Sequence, residues 1–106
     1  MNPKSSAYYE KQRQLAYERD QGLCVVGVTC PAEQTHHRQG RGGPDPHRLS
    51  NLVSVCAHHH ARIHGNPAWS YENGYMVRRN GVMRPEDIPV RYGDLMIALT
   101  NTWEPR

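Results

Sequence analysis

The residues of this chain best suited to chemistry are its cysteines and histidines. Cys24 and Cys30 enclose five residues, and Cys56 and His59 enclose two. These are two pairs of soft sulfur and nitrogen donors, each on a short turn, joined by a longer loop. Zinc takes four such donors in a tetrahedron, and close pairs on tight turns are the usual way to present them. The predicted site is one structural Zn2+ held by Cys24, Cys30, Cys56 and His59, with His58 an open alternative for the fourth ligand. The plainer reading is three buried free thiols acting as small apolar residues.

All seven histidines fall between positions 36 and 64. With the zinc ligands set aside, His36, His37, His60 and His64 form a second group. His60 and His64 are four apart, so on a helix they share one face and can grip one metal together. His59 is about 100° around that helix from His60, which frees it for a different site. His36 and His37 are neighbours on a predicted strand and must point different ways. That arrangement suits two jobs, metal ligation by one and proton abstraction by a free imidazole of near-neutral pKa in the other.

The elements that must position these groups can be read in outline. Residues 6–20 are a helix capped by Ser6, with Ala, Glu, Lys, Gln, Arg and Leu inside it and Gly22 ending it. Its weakly amphipathic face (Tyr8, Leu15) implies packing on the domain. A cysteine-bounded knuckle at 24–30 follows, then a strand at 35–38 and a Gly/Pro-rich loop at 39–48. Residues 52–55 are a second strand, and 57–64 are a two-turn helix stopped by Gly65 and Pro67. Residues 75–79 and 82–84 flank Asn80-Gly81, a type I′ hairpin signal. Residues 85–89 are a connector, and 94–100 are a helix or a strand.

The chain has 106 residues, 37% of them apolar and none of them Phe, so its core must be thin and a staple is expected. A single α+β domain spanning 1–106 is predicted, with its core at about 19–66 and a C-terminal hairpin extension at 67–106. Three cysteines are an odd number, which favours reduced thiols and a cytoplasmic location over a disulfide framework. The longest apolar run, at 95–99, is far too short for a membrane span, and residues 1–6 lack the apolar stretch of a signal peptide. A monomer with no membrane partner is the expected state. Charge is uneven. Seven arginines and only Asp45 and Glu72 lie between positions 36 and 84. That stretch, which also holds every histidine, points to a polyanionic partner.

Taken together, Cys24, Cys30, His36-His37, Ser50-Asn51-Leu52, Cys56, and His60 with His64 resemble the HNH endonucleases of the ββα-metal (His-Me finger) group. The order His-His, Asn, His is the signature of that family. The spacing from Asn51 to His60 and His64 looks like that of the nuclease colicins. The zinc pairs resemble those of small phage and bacterial HNH proteins. The resemblance spans residues 19–64. Two departures stand out: His59 replaces the usual second cysteine, and the first clip is longer than usual.

The resemblance implies a small ββα-metal finger that cleaves DNA with low sequence specificity, leaving 5′-phosphate and 3′-hydroxyl ends. His37 would be the general base. His36, His60 and His64 would hold one catalytic divalent ion, for which three imidazoles favour Zn2+, Ni2+, Co2+ or Mn2+ by affinity, whereas Mg2+ prefers oxygen. Asn51 would organise the loop between the strands, and its plainer reading is a turn-favouring residue ahead of a strand. Arg38, Arg41 and Arg62 are the candidate phosphate contacts. Small HNH proteins of this kind occur in tailed phages, where some assist the terminase, so DNA and a phage terminase are the implied partners. The competing expectation is a non-catalytic, zinc-stabilised module for nucleic-acid binding or phage assembly.

Overall fold

The computed structural model describes residues 5–40, 43–79 and 81–104. Helix α1 (Ser6–Arg19) starts at the predicted residue, but Ser5, not Ser6, is its cap. Ser5 is extended, and its hydroxyl accepts the Tyr8 amide at 3.1 Å. Only Gln12 and Ala16 of α1 are buried, so no apolar stripe holds this helix down. Its two ends do. Tyr8 donates to Asp45 at 2.8 Å, and Arg19 donates to the carbonyls of Leu49 (2.9 Å) and Leu52 (2.5 Å). Between them, Ala16 is small enough for α1 to close on Leu49 and Leu52.

The chain leaves α1 through Gln21 and Gly22, whose φ values of 59° and 70° lie in the left-handed region. After the knuckle, β1 (Gln34–His37) pairs antiparallel with β2 (Leu52–Val55), with His36 opposite Val53 and His37 opposite Leu52. Helix α2 (Ala57–Gly65) follows β2 directly and returns against β1. Glu33 caps it from outside by accepting the Ala57 amide at 2.9 Å.

Helix α2 ends at Gly65 as predicted, and Pro67 beyond it begins a third helix, α3 (Pro67–Glu72). Proline is well placed in a first helical turn, where its missing N–H costs no hydrogen bond. The predicted hairpin over 75–84 is not formed by the described residues. Its turn residue Asn80 lies outside them. The amides of Tyr75 and Met76 go to the Ser70 carbonyl, and that of Val77 goes to Arg38. Tyr75 is sealed in the core while Val82 is 95% exposed, so no cross-strand pair is available. The hairpin lies later in the chain: β3 (Val90–Tyr92) pairs antiparallel with β4 (Leu95–Ile97) around Gly93, whose φ is 59°. Residues 94–100 thus contribute a strand.

The molecule is α+β, with three α-helices and two small antiparallel sheets among the described residues. Tyr75, Val90 and Leu99 share one core with Cys24, Val25, Val53, Val55, Cys56 and Ile63, so the residues after 66 complete the core of the strand–helix unit. No helix among the described residues is long and apolar enough to cross a membrane.

Candidate metal centres and the loop beside them

The knuckle brings its two cysteines together by a backbone exchange. The Cys24 amide donates to Cys30 and the Val28 amide to Cys24, each at 2.8 Å. Val28 takes a φ of 55°, a costly conformation for a β-branched residue. Gly27 makes the closure possible, since a Cβ there would sit 2.6 Å from Cys30 Sγ and 2.9 Å from His59 Cε1. Cys56 caps α2, and its sulfur accepts the His59 amide at 3.4 Å.

His59, in the first turn of α2, aims Nδ1 at all three sulfurs: 3.5 Å to Cys24, 3.4 Å to Cys30 and 3.2 Å to Cys56. Zinc–sulfur and zinc–nitrogen bonds of about 2.3 and 2.05 Å give tetrahedral S···N edges of about 3.5 Å. The four donors can hold a metal ion, and a structural zinc suits them. The fourth donor is His59, and His58 is outside the group. Burial, together with the Cys56 and Cys24 thiols, pushes Cys30 up to about 11. Burial also raises Cys56, but the His59 amide and the neighbouring thiols outweigh it and hold Cys56 below the usual range. Three sulfurs this close ionise together only around a cation.

One step round α2, His60 and His64 face the other way, toward His36 on β1. His36 Nδ1 lies 3.2 Å from His60 Nε2, which lies 3.2 Å from His64 Nε2. Imidazole–metal bonds of about 2.05 Å predict tetrahedral N···N edges of about 3.3 Å. The outer nitrogens are already committed. His36 Nε2–H donates to the Tyr75 carbonyl at 2.7 Å, and His60 Nδ1–H to Gln34 Oε1 at 2.5 Å. Their lone pairs therefore face inward, the tautomer metal ligation needs. Burial holds His36 down at about 4, with the Tyr75 carbonyl opposing and His60, His64 and Arg38 adding to the depression. Burial and then His64 also lower His60. This group too can hold a metal ion, and His64 leaves its rim exposed.

Strand alternation sends His37 to the opposite side, beneath the start of α1. Its Nε2 meets His47 Nδ1 at 2.9 Å, and Tyr9 packs on both rings, with centroids 5.5 Å and 4.5 Å away. His47 lies in the loop between the strands, where sequence reasoning assigned it no role. Its only local signal is Asp45, whose carboxylate accepts the His47 amide at 3.2 Å and the Tyr8 hydroxyl. Buried Asn51 closes that loop. Its Oδ1 accepts the Gln39 amide at 2.7 Å, and its Nδ2 donates to Gln39 (3.1 Å) and Pro46 (2.9 Å).

The chain matches no protein-family model, no curated protein and no solved structure. Its functional reading therefore rests on this geometry.

The predicted phosphate contacts part company. Arg38 is 2% exposed, and its guanidinium donates to the carbonyls of Ser50, Gly74, Pro85 and Ile88. It ties the C-terminal segments to β1 and has no face left for a phosphate. A buried cation serving only carbonyls gives no sequence signal that separates it from a surface arginine. Arg41 lies outside the described residues. Arg62 is exposed, and its guanidinium sits 4.2 Å from the Trp69 ring centroid.

Proposed function

We propose that this protein is a metal-dependent DNA endonuclease of the HNH type, built on a ββα-metal finger. The observation that carries the reading is the convergence of His36 Nδ1, His60 Nε2 and His64 Nε2, with two of the rings braced from behind by Tyr75 and Gln34. His36, His60 and His64 would hold a divalent ion, which when bound would supply positive charge to stabilise the phosphate and the leaving 3′ oxygen.

The remaining steps belong to the chain. His37 takes a proton from the attacking water, and the His47 contact fixes its ring. Asn51 keeps His37 and His47 in register by tying both ends of the loop that joins them. The resemblance of the motif to small phage HNH proteins is what supports a link to genome packaging and to a terminase.

Metal-stripped protein is given Mg2+, Mn2+, Ni2+, Co2+ and Zn2+ singly in a plasmid-nicking assay, beside His37→Ala, with bound metal quantified on each sample. Metal-dependent nicking that is lost in His37→Ala at unchanged metal content is expected. Full metal content without nicking under any ion would replace this reading with a zinc-stabilised binding or assembly module.

A further inference from the structure

The arginines between positions 36 and 84 are not equivalent. Arg38 is buried on carbonyls, Arg48 pairs with Glu86 at 3.3 Å, and Arg84 pairs with Asp87 at 3.2 Å. Arg62, Arg78 and Arg79 are exposed and pair with no carboxylate among the described residues. Arg78 and Arg79 are adjacent, and each is seated. The Arg78 guanidinium lies 4.3 Å from the Tyr71 ring centroid, a stack that restrains the plane and leaves its N–H edge free for oxygen acceptors. The stem of Arg79 crosses Gly40 so closely that a Cβ there would meet Arg79 Cδ at 2.8 Å.

The backbone beneath them is anchored to the histidine site. The Tyr75 carbonyl accepts from His36, the Val77 amide donates to Arg38 at 2.8 Å, and Gln39 Nε2 donates to the Arg78 carbonyl at 3.0 Å. Residues 75–78 thus run beside 36–39. Three residues of extended chain reach at most about 10 Å. That is about three nucleotides of one strand at about 3.4 Å each. Two exposed arginines, consecutive in the chain and without a carboxylate partner among the described residues, hold positive charge that an anion would neutralise.

We infer that Arg78 and Arg79 form a phosphate clamp that seats double-helical DNA beside the His36–His60–His64 group. The inference rests on the nuclease reading of that group and adds the surface that holds its substrate. The clamp grips backbone and carries no base readout.

The test is fluorescence anisotropy of a labelled 20-base-pair duplex, with no added divalent ion, between 50 and 200 mM salt. Each phosphate contact adds about 0.9 to the slope of log affinity against log salt. Replacing both residues (Arg78→Gln with Arg79→Gln) is expected to reduce that slope by about two and affinity at 0.1 M salt on the order of sixtyfold, at unchanged melting temperature. Gly40→Ala displaces Arg79 alone and is expected to reduce the slope by about one. A double variant with the wild-type slope, or wild-type protein that does not bind duplex, overturns the clamp. Nicking assays on the same samples separate the two ideas. Nicking with an arginine-independent slope removes the clamp and keeps the nuclease, whereas an arginine-dependent slope without nicking does the reverse.

Discussion

The two clusters share helix α2 yet differ in donor number and in how far they open to solvent. The Cys24–Cys30–Cys56–His59 group has four donors, is wrapped by the knuckle, and adjoins the main core. The His36–His60–His64 group has three donors of graded burial, from buried His36 to exposed His64. Structural metal sites are coordinatively closed, whereas catalytic ones keep a position open for water or substrate. One helix serves both because consecutive residues diverge by about 100°, so His59 and His60 feed different neighbours. The difference teaches that one short helix can supply ligands to two groups of unlike closure.

The strongest test of that contrast removes one ligand from each cluster. Cys56→Ser keeps a good helix cap and loses only the thiolate. Structural zinc contributes about 10–16 kcal/mol in small modules, as much as a whole domain's stability, so this variant is expected to lose zinc and fail to fold. Circular dichroism melting and metal analysis read the result. A wild-type melt would mean three packed thiols with no metal staple. His64→Ala, on the exposed rim, is expected to shift stability by only about 0.5 kcal/mol while abolishing metal-dependent nicking.

A smaller effect should appear with pH at the open cluster. Burial depresses His36 to about 4 in the folded chain, against about 6.5 unfolded. The unfolded state then binds the extra proton between these values. Stability is full above pH 6.5 and falls as pH drops toward 4, by about 3 kcal/mol at most. Denaturant melts of protein stripped at the histidine site should show this slope, and His36→Gln should flatten it. An unchanged slope in that variant would place the titration elsewhere.

The smallest expected change concerns the brace behind His60. Gln34→Leu removes the acceptor of the His60 Nδ1–H while leaving all three ligands in place. Loss of such an outer partner costs about 10–100-fold in metal affinity. Metal titration of the nicking reaction should therefore shift rightward with little change in melting temperature. An unshifted titration would show that the ring needs no brace.

How far the site was legible depended on distance along the chain. Cys24 with Cys30, Cys56 with His59, and His60 with His64 sit on single turns, so their spacing set their geometry in advance. The choice between His58 and His59 was not local. It needed the knuckle, with Gly27 pressed against both Cys30 and His59. His47 and Arg38 were illegible as roles, because their partners lie ten or more residues away in the chain. Asn-Gly at 80–81 misled because a turn signal needs two strands to join, and residues 75–77 had already given their amides to Ser70 and Arg38.

What the sequence determined by itself was local: donor types, their spacing, the phase that splits His59 from His60, and the alternation that splits His36 from His37. Short-range geometry is set by bond lengths and helical or strand period, which tertiary packing scarcely alters. Only the tertiary structure decided which arginine is buried and which are exposed without counter-charge. It also decided that His47 meets His37 and that Tyr75 and Gln34 orient the metal-facing rings. Those outcomes depend on which distant segments claim each polar group once water is excluded, and that competition is settled by the whole core.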